Sequence, residues 1–192
     1  MLLSLPWGII LLLPLAWVLF FNKGKFVATI SNFSCRGLLW YLFWVLLGSF
    51  FNFRIGQVYF NLGGILMLVL GGRLFYYSAA WLRLRIVLAA IAVGVFSYCF
   101  ISGIFWWLIT WPAIFTPILL ILVPILLALI LAGGLRQVWA SLIFGLLLGY
   151  AAAEWVTSRG IYSTIGNFAV LNILFVAMAA AIAGNWLKHR LL

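Results

Sequence analysis

The sequence predicts an all-α fold: one transmembrane domain over 1–192, a polytopic bundle of about seven helices with its N-terminus outside and its C-terminus cytoplasmic. Three observations lead there. Of 192 residues, 69% are hydrophobic and 6% charged, against about 25% charged in a soluble domain. Apolar runs of about 20 residues, the length that crosses a hydrocarbon layer, follow one another with only short turns between them, leaving no room for a soluble domain. The basic residues fall between those runs with a strong bias to one side. A β-barrel would alternate polar and apolar positions, whereas 117–132 is apolar throughout, so helices are favoured.

Taken in order, span 1 covers 2–22, is kinked by Pro14 and is followed by Lys23 and Lys25. A secretory signal has its basic residues first, so this span reads as a retained helix. The polar stretch 23–36 is the longest loop. Span 2 covers 37–53 and ends at Arg54. Span 3 covers 56–77 and contains Asn61, the pairs Gly63-Gly64 and Gly71-Gly72, and Arg73. A short basic turn, 81–85, leads to span 4 at 86–104. The uncharged turn 105–112 holds Trp106, Trp107 and Trp111, and tryptophans cluster at the headgroup level. Span 5, 113–131, contains Pro117 and Pro124, which membrane helices tolerate because neighbours satisfy the freed carbonyls. Span 6 covers 138–157, between Arg136 and Arg159. Span 7 covers 164–187 and ends in Lys188-His189-Arg190. No internal repeat is apparent.

The charges test this layout. The net charge is +10, from eleven Lys and Arg against one acid. With the N-terminus outside, Lys23, Lys25, Arg36, Arg73, Arg83, Arg85, Arg136, Lys188 and Arg190 lie inside, and only Arg54 and Arg159 lie outside. That distribution follows the positive-inside rule and favours an odd number of spans. The basic excess is thus topological, with the lipid bilayer and its anionic headgroups as partner, and nucleic acid is not expected.

Glu154, the single acid, sits near the outer end of span 6. An intramembrane acid marks either a functional site or a paired structural one. Arg54 and Arg159 are its expected partners, forming a candidate polar cluster; the alternatives are a proton or substrate relay and exposure at the interface. Gly145, Gly149 and Ala153 make a small-xxx-small stripe suited to close helix packing, within the chain or in a homo-oligomer. Asn61 and Asn172 are candidate buried amides, with Asn167 and Asn185 nearby. Cys35 and Cys99 form no CxxC and are expected at different depths, hence unbridged. One histidine, one glutamate and two scattered cysteines do not build an ordinary zinc site, and Ser, His and acid are not arranged as a triad. No metal, cofactor or catalytic residue is expected.

One stretch carries a family resemblance. Leu135-Arg136 opens a span containing Ser141-Leu-Ile-Phe-Gly145-Leu-Leu-Leu-Gly149, followed by Ser158-Arg159-Gly160, then Ile165-Gly166 ahead of Leu171-Asn172. This segment is similar to the YphA family of small bacterial membrane proteins. The resemblance covers about a fifth of the chain; the remainder agrees in length and hydropathy. It implies a bacterial inner-membrane protein linked to sporulation and supplies no catalytic motif. The family pattern can carry an acid where this chain has Asn172. The sequence thus points to a non-enzymatic inner-membrane component with a structural or interaction role, acting with a membrane-protein partner or a second copy. The alternatives are a small transporter or substrate-binding membrane subunit with an outward-facing polar site, and a lipid-handling enzyme.

Overall fold

The computed structural model describes residues 35–104, 115–159 and 163–191. These form six helices and a small sheet: α1 (Cys35–Gly48), β1 (Asn52–Ile55), β2 (Val58–Asn61), α2 (Leu62–Tyr76), α3 (Ala80–Ile101), α4 (Phe115–Ala132), α5 (Leu135–Thr157), β3 (Ser163–Ile165) and α6 (Phe168–Leu191). The fold is mostly helical. Two helices, α3 and α5, are long and apolar enough to cross a membrane, and the other apolar stretches of the described residues are shorter. At 22 and 23 residues they are about 33 and 35 Å long, against roughly 30 Å of hydrocarbon. Expected span 1, most of the 23–36 loop and the tryptophan turn lie outside the described residues.

α5 is the hub, touching α2, α3, α4 and α6, while α1 packs on α2. Its Trp139, Leu142, Ile143, Leu146 and Leu147 are fully buried. The tightest crossing is α3 on α5. A Cβ on Gly149 would stand 2.6 Å from the Gly94 carbonyl oxygen, and one on Gly145 2.6 Å from the Val93 side chain and 2.8 Å from the Ala90 carbonyl. The two backbones therefore meet directly, as small residues permit.

The exterior is apolar too. Along α3, Trp81, Leu84, Leu88, Ile91 and Val95 recur at three- and four-residue spacing and are each at least half exposed, while Ile86, Ala89 and Val93 of the same helix are buried. The helix is thus buried on one face and apolar but exposed on another.

Five expected boundaries move. Expected span 2 ends as a helix at Gly48, and its last residues join strand β1; expected span 3 begins as strand β2, with helix only from Leu62. The reason is local. Phe53-Arg-Ile55 and Val58-Tyr-Phe60 are aromatic and β-branched runs that suit a pleated surface. They flank a two-residue turn in which Gly56 has φ +62°, the arrangement of a type II′ hairpin. β1 pairs antiparallel with β2, and β2 pairs parallel with β3, so the start of expected span 7 is also a strand. The expected basic turn 81–85 is the beginning of α3, and Arg136 is inside α5.

The side chains of these arginines bond to carbonyls at helix ends. Arg83 donates from Nε to the Ser78 carbonyl at 2.9 Å and from Nη2 to the Tyr76 carbonyl at 2.7 Å. Arg85 Nε donates to the Leu131 carbonyl at 3.0 Å, and Arg136 Nη1 to the Tyr77 carbonyl at 3.1 Å. Cations at helix C-termini satisfy the last carbonyls and oppose the helix dipole. The contacts give the bundle two ends. At one lie Arg73, Arg83, Arg85 and Arg136; at the other lie the sheet, Glu154, Arg54 and Arg159. Helix direction puts Cys35 at the arginine end, whereas Cys99 is a free thiol near the sheet end.

The glycine crossing can be tested against a control in the same fold. Gly149→Ala should cost about 1–3 kcal/mol through overpacking, seen as a lower thermal midpoint in detergent. Gly72→Ala, whose Cβ would meet nothing within 4 Å, should be neutral or raise stability by up to about 1 kcal/mol. Equal losses at both positions would contradict the backbone contact.

Candidate functional site

Polar chemistry gathers at the sheet end, where α5 finishes. Glu154 lies in the last turn of α5 and is half-buried. Its Oε2 accepts from the Thr164 backbone N–H at 2.7 Å, and its Oε1 accepts from Asn167 Nδ2 at 2.5 Å. Hydrogen bonds to a carboxylate are roughly twice as strong as neutral ones, so this pair fastens the end of α5 to the segment that enters α6. Asn167 is itself fixed by the next helix. Its Oδ1 accepts from the Val170 N–H at 2.9 Å, a helix N-cap. That bond turns Nδ2 towards Glu154.

A second bond reinforces the first: Ser163 Oγ donates to the Ala151 carbonyl at 2.7 Å. β3 is thereby held to α5 by two side chains and to β2 by its parallel ladder. Asn61, almost fully buried, completes the far side. Its Nδ2 donates to the Ser49 carbonyl at 2.7 Å and to Asn52 Oδ1 at 3.0 Å, while its Oδ1 accepts from the Gly64 N–H at 3.2 Å. It caps α2 and ties the end of α1 to the start of β1. Two bare backbones close the gap between these units, since a Cβ on Gly64 would lie 2.5 Å from the Gly166 Cα.

The expected cluster of Glu154 with Arg54 and Arg159 is therefore not formed. All three residues lie at the same end, but among the described residues no ion pair joins them; the Glu154 partners are Thr164 and Asn167. Sheet topology keeps Arg54 away. It sits on β1, β2 lies between β1 and β3, and two strand spacings are about 10 Å. Arg54 instead donates from Nε to the Gly56 carbonyl at 2.7 Å and stacks over the Tyr59 ring at 5.3 Å. Arg159 is the exposed residue that ends α5, in the left-handed region at φ 55°, where a helix commonly stops. Its N–H donates to the Val156 carbonyl.

The other candidates divide. Gly145, Gly149 and the buried Ala153 are used for packing within the chain. Asn172 is buried in α6 and is partnered. Asn185, Lys188, His189 and Arg190 fall in the last turns of α6, where side chains are outside the described residues. The buried Ser97 Oγ and Trp139 Nε1 have no hydrogen-bond partner among the described residues. Asn167 is the member that the sequence undervalues: as an Asn just before an apolar run it carries a helix-start signal, but its role as carboxylate partner depends on the β3 pairing.

The other prominent concavity is an apolar groove of about 600 Å³ between α3 and α5, lined also by Phe75 of α2. No family model, curated protein or solved structure matches this chain.

A double-mutant cycle measures the Glu154–Asn167 contact. Glu154→Ala leaves an amide and a backbone N–H without their acceptor and should cost about 1–3 kcal/mol. Asn167→Ala should cost a similar amount through the lost bond and cap. If the two share one contact, the double variant should lose less than the sum by at least about 0.5 kcal/mol, read from chemical unfolding in detergent. Strict additivity would show that they act separately.

Proposed function

We propose that the chain is a polytopic protein of a bacterial cell membrane that acts as a structural or interaction component and not as an enzyme. The observation that carries this reading is the use made of Glu154. The single acid is spent on Asn167 and Thr164, fastening two helices. A relay acid needs a partner that exchanges protons with it, whereas an amide and a backbone N–H only donate.

The membrane assignment draws support from the two helices of spanning length, from the apolar exterior of α3, and from the segregation of four arginines to one end. In this reading the arginine end is cytoplasmic, the sheet end is outside, and about seven spans include the apolar 2–22 segment. A bacterial inner membrane and a sporulation context are what the sequence resemblance of 135–176 to the YphA family implies. The exposed aromatic side chains of α1, Trp40, Phe43 and Trp44, suit a membrane-protein partner or a second copy of the chain.

A photo-crosslinking amino acid at position 43, introduced into the full chain and irradiated in native membranes, should trap one discrete membrane-protein adduct. The same group at position 122 of α4 should trap lipid only. A transporter role would be indicated instead if the purified chain in vesicles carried a proton or solute flux that Glu154→Gln abolished.

A further inference from the structure

We infer that the groove between α3 and α5 is a binding site for one anionic phospholipid, its headgroup at Arg83 and one acyl chain along the groove; this rests on the membrane reading above. The floor and walls come from Val87, Ile91, Gly94 and Tyr98 of α3 and Leu148 and Ala152 of α5. On α3 these residues continue a helical stripe that begins at Arg83, with steps of four, four, three and four residues. The groove is thus apolar along its length, and Arg83 lies one helical turn before Val87, next to the lining residue Phe75. Its single polar wall group is the Tyr98 hydroxyl, so a water-soluble ligand would find almost no hydrogen bonds there.

Charge complementarity selects the occupant. The Arg83 guanidinium lies over Phe75, a residue that lines the groove, at 5.8 Å from the ring centroid. Nε and Nη2 are taken by the Ser78 and Tyr76 carbonyls, leaving Nη1 to an incoming oxyanion. The single acid of the chain lies at the opposite end of the bundle, so nothing among the described residues competes for that cation. Basic pockets between membrane helices on the cytoplasmic side take anionic headgroups in this way. Length agrees: the fifteen residue steps from Arg83 to Tyr98 span about 22 Å, enough for an acyl chain that starts at the headgroup level and passes the midplane of a hydrocarbon layer about 30 Å thick.

The test uses the full chain in phosphatidylcholine vesicles containing a minority of phosphatidylglycerol with a diazirine on its acyl chain. Photolabel should concentrate on the groove-lining positions of α3 and α5, above the level on lipid-exposed Ile118 and Leu122 of α4. Arg83→Gln should reduce the preference for phosphatidylglycerol over an equally labelled phosphatidylcholine about fivefold, the effect of one basic residue near an anionic surface. Arg83→Lys should retain most of that preference. Ala152→Phe, at an exposed position, should reduce groove labelling by either lipid. Even labelling of all exposed helices, or labelling unchanged by Arg83→Gln and Ala152→Phe, would overturn the inference. So would crosslinks that seat residues 1–34 or a second copy in the groove and exclude lipid. Vesicle flotation separates the two levels: a chain that does not float with the vesicles contradicts the membrane reading itself, whereas a floating chain without groove labelling contradicts only the lipid site.

Discussion

The missing Cβ atoms at Gly94, Gly145 and Gly149 let α3 and α5 meet backbone to backbone, and the remaining elements are arranged around that pair. α5 can serve as the hub because its glycine face is narrow: α3 covers it, leaving the other faces to α2, α4 and α6. Larger residues at these positions would push the helices apart and change the angle at which α5 presents Glu154 to the turn before α6. Close helix approach also matters more in lipid than in water, since apolar helices gain little by leaving an equally apolar solvent and rely on packing.

The two ends of the bundle satisfy backbone polar groups by different means. At the arginine end, long side chains fold back onto the carbonyls of Tyr76, Tyr77, Ser78 and Leu131. At the sheet end, three short strands pair with one another, and Asn61, Ser163 and Asn167 close the remaining gaps. In the membrane reading both solutions belong at the interfaces. An open strand edge such as β1, exposed at all four residues, is not tolerated against hydrocarbon, but it is at home among headgroups and water. α1 and α2, at 14 and 15 residues, are about 21 and 23 Å long, and the hairpin between them spans part of the distance that longer helices would cover.

Much of this was legible in the sequence where one physical signal dominated. The helices α3, α4 and α5 follow from long apolar runs, and the packing stripe on α5 follows from the spacing of Gly145, Gly149 and Ala153. The ends were misread where hydropathy was used as a ruler. Arg83, Arg85 and Arg136 look like loop residues to a hydropathy count, yet a guanidinium on a long apolar stem can lie along a helix and reach its neighbours' carbonyls. The hairpin was hidden for the opposite reason: its strands adjoin the apolar runs on either side of Arg54 and pass for the ends of helices, and short apolar runs do not declare their period. Glu154 was singled out because it is the only acid, but its partners could not be read. Thr164 and Asn167 lie ten and thirteen residues on, and only the parallel pairing of β3 with β2 brings them back to the end of α5.

In the membrane reading, the charged and the sheet ends lie on opposite sides of a bilayer that the apolar exterior spans. Single cysteines at positions 55 and 81, both exposed, placed in a chain with Cys35 and Cys99 changed to Ser, would test it with a membrane-impermeant maleimide. Position 55 should label in intact cells, and position 81 only after the inner face is made accessible. Labelling of both positions from the same side would contradict the account.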